Sequence, residues 1–270
     1  MNRLEEKTFS FAIMKLTDTH THLYVKEFEE DIEAVVERAL TEGVDKFYLP
    51  AIDSTENEAL INLEKKFSNQ MFAMTGLHPC SVKENFKEEL KQIQEQLSKR
   101  TFVAIGETGL DFYWDTTFTK QQYESLHIHA EWAIQYKIPL VVHTRNATQE
   151  TIKLVKEYRG KNLFGIFHCF SGTLQDATEI IDAGFLLGIG GVLTFKNSGL
   201  AEVIKEIDLE HLVLETDSPY LAPAPFRGKR NESSYIKYIA QKLADVKKIS
   251  VEEVASETTK NAEFIFRNRN

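Results

Sequence analysis

The chain has little cysteine and lacks any long hydrophobic run. Its 270 residues include only 2 cysteines, too few for a disulfide framework. No apolar segment approaches the roughly 20 residues that a membrane helix requires. The opening MNRLEEKTFSFAI has early acidic residues and no apolar core of a signal peptide. These absences predict a cytoplasmic protein without a membrane-spanning segment.

The chain also has fewer basic than acidic residues. Lys and Arg number 32 against 41 Asp and Glu, which gives a net charge of −9. This balance argues against a broad basic surface that binds nucleic acid through its phosphates, although it leaves room for a small cationic site. Hydrophobic residues at 42% are typical of a globular protein. The length suits a single α/β barrel, which typically has about 250 residues.

Eight apolar, β-branched segments recur along the chain and predict eight strands. They are MKLTDTH, VDKFYLPAI, MFAMTGLHP, TFVAIGETG, IPLVVHTR, FGIFHCFSG, GFLLGIGG and LVLETDSPY. Helical spacing fills most of the intervals, as in residues 28–39, which Gly43 follows at a C-cap position. Alternating strands and helices indicate a parallel sheet. Eight units favour an α/β fold, a single (β/α)8 TIM barrel, over a doubly wound sheet, whose glycine-rich phosphate loop is missing here.

The predicted strands and helices belong to one domain, since no linker, low-complexity segment or short repeat interrupts them. Residues 1–13 precede the first predicted strand, and we interpret them as an N-terminal extension without an assigned function. The barrel domain is predicted to span residues 14–270. Its end is a helical tail, SVEEVASETTKNAEFIF.

Potential metal ligands or bases follow six of the eight predicted strands. In chain order they are His20, His22, His78, Glu107, His143, His168 and Asp217. The C-terminal strand ends of a barrel meet at one mouth, where active sites are built. A lone His-x-His pair is more often a core or solvated pair, but five histidines and two carboxylates at one rim need a partner for their buried charge. Metal is the natural partner. The other histidines, His127, His129 and His211, are interpreted as surface or helix residues.

Six segments in the same order resemble the TatD family of metal-dependent nucleases, within the amidohydrolase-like barrel hydrolases. They are TDTHTHL, GLHP, AIGETGLDFY, PLVVHTRNA, FHCFSG and LETDSPYLAP. The resemblance implies two divalent metals: one is bound by His20, His22 and Asp217, the other by His143 and His168, and Glu107 bridges them. Strand order predicts the same division, because neighbouring strand ends share a metal and the fourth strand can reach both groups. Zinc, magnesium, manganese and cobalt all suit such ligands.

A dinuclear centre would reconcile an acidic protein with an anionic substrate, because two dications outweigh the two carboxylates by about two charges. Two metals about 3.5–4 Å apart activate water and stabilise both oxygens of an in-line displacement at phosphorus. We therefore expect phosphodiester hydrolysis, with Glu107 and Asp217 as catalytic residues. Asp217 is the candidate to take the proton from the attacking water.

Cationic and aromatic residues near the predicted mouth fit a nucleic acid substrate. Arg145 follows His143 by two residues and offers a planar fork to phosphate. His78 is predicted to contact phosphate or the leaving oxygen, with a supporting hydrogen bond as the alternative. Further predicted substrate contacts are Phe195, Lys196 and Arg227, with Lys229 and Arg230 adding charge and Phe112, Tyr113 and Trp114 as candidate base platforms. Rim packing and a solvated loop are the competing explanations for these aromatic residues and for this charged run.

The predicted activity is that of a deoxyribonuclease acting as an exonuclease on single-stranded DNA ends, with RNA as a second candidate substrate. No obligatory protein partner is evident. The main alternative is a metallohydrolase of the same class that acts on a carbonyl substrate, an amide or an ester such as a misacylated tRNA end, because a bridging hydroxide attacks either centre. A purely structural metal site is disfavoured, since structural zinc sites are closed four-ligand cages.

Overall fold

The computed structural model describes residues 14–267, so the predicted extension at residues 1–13 lies outside the described part. The strands are β1 Leu16–Asp18, β2 Val44–Leu49, β3 Met71–Ala73, β4 Ile105–Asp111, β5 Leu140–Arg145, β6 Gly165–Phe167, β7 Phe185–Ile189 and β8 Leu212–Leu214. The helices are α1 Ile32–Thr41, α2 Asn57–Lys66, α3 Phe86–Lys99, α4 Thr119–Tyr136, α5 Thr148–Lys156, α6 Leu174–Asp182, α7 Leu200–Lys205, α8 Ile236–Lys247 and α9 Val251–Ile265. The predicted (β/α)8 barrel is confirmed.

Two runs of parallel strands close into the barrel. β1 to β3 form one run and β4 to β8 the other, each in sequence order. Thr75 bridges to Ile105 between β3 and β4. At the other seam the Thr19 amide donates to the Leu214 carbonyl over 3.0 Å, and the Thr19 hydroxyl donates to the same carbonyl over 2.9 Å. All eight strands therefore point their C-terminal ends at one mouth.

The helices cover the barrel with apolar faces that the sequence pattern anticipates. α1 buries Val35, Val36 and Ala39, and Gly43 follows it with a positive φ of 87°, as a C-terminal cap requires. The predicted helical tail is α9, where the Ser250 hydroxyl accepts a hydrogen bond from the Glu253 amide. Within residues 14–267 no helix is both long and apolar enough to cross a bilayer.

The strands are mostly shorter than the apolar segments that predict them. β1 ends at Asp18, so His20 and His22 follow the strand instead of lying on it. The reason is that the chain leaves the regular ladder and bonds to neighbouring loops, with the His22 amide donating to the Ser218 carbonyl over 2.8 Å. β4 begins and ends later than its predicted segment TFVAIGETG, because it starts at Ile105 and continues to Asp111.

Candidate metal centre

Glu107 lies at the centre of a cluster of histidines inside the mouth. It stands on β4 and is 2% exposed. Its Oε2 atom lies 3.1 Å from Nε2 of His20 and 3.5 Å from Nε2 of His22. Its Oε1 atom lies 2.9 Å from Nδ1 of His143 and 2.9 Å from Nε2 of His168. The two oxygens of one carboxylate thus face two separate pairs of histidines.

Asp217 belongs to the first of these groups. Its Oδ1 atom lies 3.5 Å from Nε2 of His22 and 3.7 Å from Nε2 of His20. The backbone at Asp217 has a left-handed φ of 56°, uncommon for a residue other than glycine, and its amide donates to the His20 carbonyl over 2.9 Å. The structure therefore brings together all of the residues predicted as metal ligands, namely His20, His22, Glu107, His143, His168 and Asp217.

Hydrogen bonds behind two of the rings decide which ring nitrogen is unprotonated. The Tyr24 hydroxyl donates to the Pro50 carbonyl over 2.6 Å. It therefore accepts from Nδ1 of His22, 3.0 Å away, and leaves a lone pair on Nε2. The Asp111 carboxylate accepts from Nε2 of His143 over 2.9 Å, which leaves the lone pair on Nδ1. When neutral, each ring therefore presents its unprotonated nitrogen to the cluster, as metal binding requires.

Asp111 is itself held in place, although the sequence analysis did not select it. Its Oδ1 atom accepts from the amides of Tyr113 and Trp114 over 2.9 and 3.0 Å. Burial works against its ionised form, but hydrogen bonds from His143 and these amides hold the pKa of Asp111 well below its usual range. The motif GETGLD contained this residue, but only the full length of β4 shows that its side chain reaches His143.

His78 lies beside the same cluster in the opposite tautomer. The Cys80 amide donates to Nδ1 of His78 over 3.1 Å, and an amide can only donate, so the proton of the neutral ring is on Nε2. Burial lowers the pKa of His78, which favours this neutral form. Nε2 lies 3.3 Å from Oε1 of Glu107. His78 therefore points a hydrogen-bond donor into the site instead of a metal-binding lone pair.

The charges in the cluster depend on one another. Burial lowers the pKa of His22, but hydrogen bonds to Asp217 and Glu107 outweigh it and raise this pKa to about 9. Burial also disfavours ionised Glu107, whereas the surrounding histidines hold the pKa of that carboxyl well below its usual range. Divalent cations satisfy such a site by replacing the protons. The donor set of imidazole nitrogens and carboxylate oxygens fits a divalent metal.

Comparisons with known proteins agree with this geometry. The family described as TatD related DNase matches residues 17–267. The chain belongs to this family. It is similar to the uncharacterized metal-dependent hydrolase YabD of Bacillus subtilis, with 38% identity over 253 residues, 93% of this chain and 99% of YabD. It is also similar to the uncharacterized metal-dependent hydrolase YcfH of Escherichia coli K12, with 32% identity over 258 residues, 94% of this chain and 96% of YcfH.

A solved structure extends the TatD family relationship to the fold. The crystal structure of YJJV, a TatD homologue from Escherichia coli K12, matches with a TM-score of 0.89 and 28% sequence identity. The match covers 94% of this chain and 98% of that chain. The resemblance inferred from the six motifs is thereby confirmed, and this TatD-family chain is a metal-dependent hydrolase with a barrel fold.

Arg145 lies outside the cluster, at the end of β5. The strand persists to this residue as expected, but the side chain is exposed and stacks on aromatic rings. Its guanidinium carbon lies 4.1 Å from the ring centroid of Tyr113 and 5.3 Å from that of Trp114. Within residues 14–267 it has no ion pair, so its N–H groups remain available to an anion.

A second arginine and aromatic pair follows β7 and β8. The guanidinium carbon of Arg227 lies 4.1 Å from the ring centroid of Phe195, and Lys196 beside it is exposed. In the described part of the chain none of these three residues makes a hydrogen bond or ion pair with the cluster. Arg230 is not a free cation, because it pairs with Asp31 over 2.7 Å; the expectation that it adds charge at the mouth is wrong.

Two buried residues next to the site also escaped sequence reasoning. Glu215 directly follows β8, is fully buried, and places Oε1 3.5 Å from Nδ1 of His168. In the sequence it could have been recognised as the second carboxylate residue of LETDSPY, two positions before Asp217. His129 lies on α4 as expected but is fully buried, and its Nε2 accepts from the Leu77 amide over 3.1 Å. It therefore supports the loop that carries His78.

Proposed function

We propose that the chain is a cytoplasmic, dinuclear metallohydrolase that cleaves phosphodiester bonds at the ends of single-stranded DNA. The observation that carries this proposal is the position of Glu107 between the two halves of the site. Its two carboxylate oxygens face different histidine pairs. One ion would be held by His20, His22 and Asp217, the other by His143 and His168, with Glu107 shared. When bound, such ions supply a nucleophilic water and charge stabilisation at phosphorus.

The residues around the metal site have separate tasks in this reaction. Asp217 is the proton acceptor. Burial raises its pKa, but the hydrogen bond with His22 and the charges of nearby histidines outweigh burial and lower the pKa below its usual value. The carboxylate is therefore ionised at neutral pH. His78 offers its Nε2–H group to a phosphate oxygen or to the leaving oxygen. Glu107 holds the two halves of the site together.

The arginine and aromatic pairs support a nucleic acid as the substrate. Stacking fixes each guanidinium plane and leaves its edge for phosphate. Tyr113 is 52% and Trp114 66% exposed, so both rings can also stack on bases, at about 1–3 kcal/mol per base. Phe112 contributes less, because it is half-buried against Tyr123. A net charge of −9 disfavours a long duplex-binding surface, which supports action on short single strands and strand ends.

The test is an assay of the purified full chain after chelation and reloading with zinc, magnesium, manganese or cobalt in turn. Substrates are single-stranded DNA labelled at the 5′ or the 3′ end, duplex DNA, RNA, and a panel of amides and esters. We expect stepwise shortening of single-stranded DNA and two metals per chain by elemental analysis, with both lost in Glu107→Ala. Turnover of amides or esters alone, or full activity with one metal per chain, would overturn the proposal.

A further inference from the structure

Three buried polar atoms belong to residues that lie together beside the histidine cluster. They are Nδ1 of His20, Nδ1 of His168 and Oε2 of Glu215, and none has a hydrogen-bond partner among the described residues. One ligand-capable atom from each of these three residues lies within 4.8 Å of the other two. An unsatisfied buried polar atom costs about 1–3 kcal/mol. Three of them on neighbouring residues call for a common explanation.

The two rings are aligned in a way that suggests this explanation. His20 and His168 stack with centroids 3.9 Å apart and an interplanar angle of 11°. Both rings direct Nε2 at Glu107, over 3.1 and 2.9 Å, so both carry Nδ1 on the far side from it. When Nε2 of each ring has its lone pair free, each Nδ1 carries a proton and becomes a donor.

Glu215 is the acceptor on that far side. It is 0% exposed, and within residues 14–267 no lysine or arginine pairs with it. Oε1 accepts from the Cys169 amide and lies 3.5 Å from Nδ1 of His168. A buried carboxylate without a cation is costly, and imidazole N–H donors lower that cost. A carboxylate behind a histidine ligand also fixes its tautomer and ring orientation.

The barrel wall leaves space for this carboxylate. A Cβ atom built at Gly188 on β7 would overlap Oε2 of Glu215. Gly188 has no positive φ, so its backbone would accept another residue. The glycine is therefore needed for the volume that Glu215 occupies, and not for a turn.

We propose that Glu215 is a positioning residue shared by both halves of the metal site. Its carboxylate faces Nδ1 of His168 over 3.5 Å and has an oxygen within 4.8 Å of a ring nitrogen of His20, so that it can orient both rings. Both rings then keep Nε2 unprotonated and directed at Glu107. His20 and His168 belong to different metal groups in the proposed function, on which this inference rests, so one carboxylate supports both.

The test measures metal affinity of the full chain, by competition of Zn²⁺ with a chromogenic chelator. Glu215→Gln keeps the shape of the side chain but loses the charge and one acceptor. We expect it to bind Zn²⁺ about 10–100-fold more weakly at both sites and to change the visible spectrum of the Co²⁺-loaded protein. Gly188→Ala displaces an unchanged Glu215, so it should weaken Zn²⁺ binding as well.

The matched control is Glu89→Gln. Glu89 is also a buried carboxylate, 7% exposed, and accepts from the amide and hydroxyl of Ser54 over 2.9 and 2.8 Å, away from the histidine cluster. We expect this variant to lower thermal stability without changing Zn²⁺ affinity. A folded Glu215→Gln with the Zn²⁺ affinity and Co²⁺ spectrum of wild type would make Glu215 merely structural and overturn the inference.

Two further outcomes distinguish a failure of the Glu215 role from a failure of the dinuclear metal site. If Glu215→Gln does not fold, Gly188→Ala decides, and unchanged Zn²⁺ affinity in folded Gly188→Ala overturns the inference. A wild-type stoichiometry of one Zn²⁺ per chain would overturn the dinuclear proposal. The ratio of variant to wild-type affinity would still decide whether Glu215 supports the remaining site.

Discussion

Replacement of His78 distinguishes a hydrogen-bond donor from a metal ligand. The Cys80 amide occupies Nδ1 of His78 over 3.1 Å, which puts the ring proton on Nε2 and leaves no lone pair for a metal. Loss of one hydrogen bond to a charged group costs about 1.5–3 kcal/mol, or about 10–150-fold in rate. We therefore expect His78→Ala to keep its metal and to lose about 10–150-fold in kcat.

The assay pairs elemental analysis of the purified variants with the initial rate of single-stranded DNA cleavage. His22→Ala is the control, because the Tyr24 hydroxyl leaves a lone pair on Nε2 of His22, and its loss should remove metal as well as activity. His78→Gln carries an amide donor of similar reach and should recover part of the rate. Equal metal loss in His78→Ala and His22→Ala would refute the tautomer assignment.

Three further outcomes follow from the site and its supports. Asp217→Asn should retain at least one metal and lose about 10²–10⁴-fold in turnover; near-normal turnover, measured beside metal content, would move the proton acceptor elsewhere. Arg145→Ala should keep its metal and mainly raise KM for DNA, and metal loss would instead make this arginine structural. Burial lowers the pKa of His129 to about 4, so the unfolded chain binds that proton first and stability present above about pH 6.5 is lost as pH falls towards 4. Between pH 7 and 4.5, urea unfolding of wild type should lose about 2–3 kcal/mol more stability than that of His129→Gln; equal changes in the two proteins would contradict this.

The architecture could be predicted from the sequence because the apolar segments, the helical spacing between them and the cap residues all indicate the same fold. Eight apolar segments with helical intervals have few alternatives to a barrel, and α1 with Gly43 and α9 with Ser250 lie where their patterns place them. Strand ends were less predictable. An apolar residue at a barrel seam is buried whether or not it pairs in the ladder, so hydrophobicity does not mark where β1 stops at Asp18.

The ligand-capable residues of the site could also be predicted, but their tautomers could not. Convergence of His20, His143 and Asp217 follows from strand order alone. The side on which each ring carries its proton depends on groups that touch it from other parts of the chain. Asp111 reaches His143 only because β4 continues to its position. Glu215, which follows β8, reaches His168, which follows β6, past the intervening β7.

The difference between His22 and His78 shows what this dependence means for function. Both are buried or half-buried histidines whose Nε2 atoms lie 3.5 and 3.3 Å from Glu107, so distance and residue type do not separate them. A hydroxyl whose proton is already committed to a carbonyl accepts from His22, whereas a backbone amide donates to His78. In their neutral forms, the first ring is left with a lone pair on Nε2 and the second with a proton there. A metal ligand and a substrate donor therefore arise from the same side chain, and the atom behind each ring decides between them.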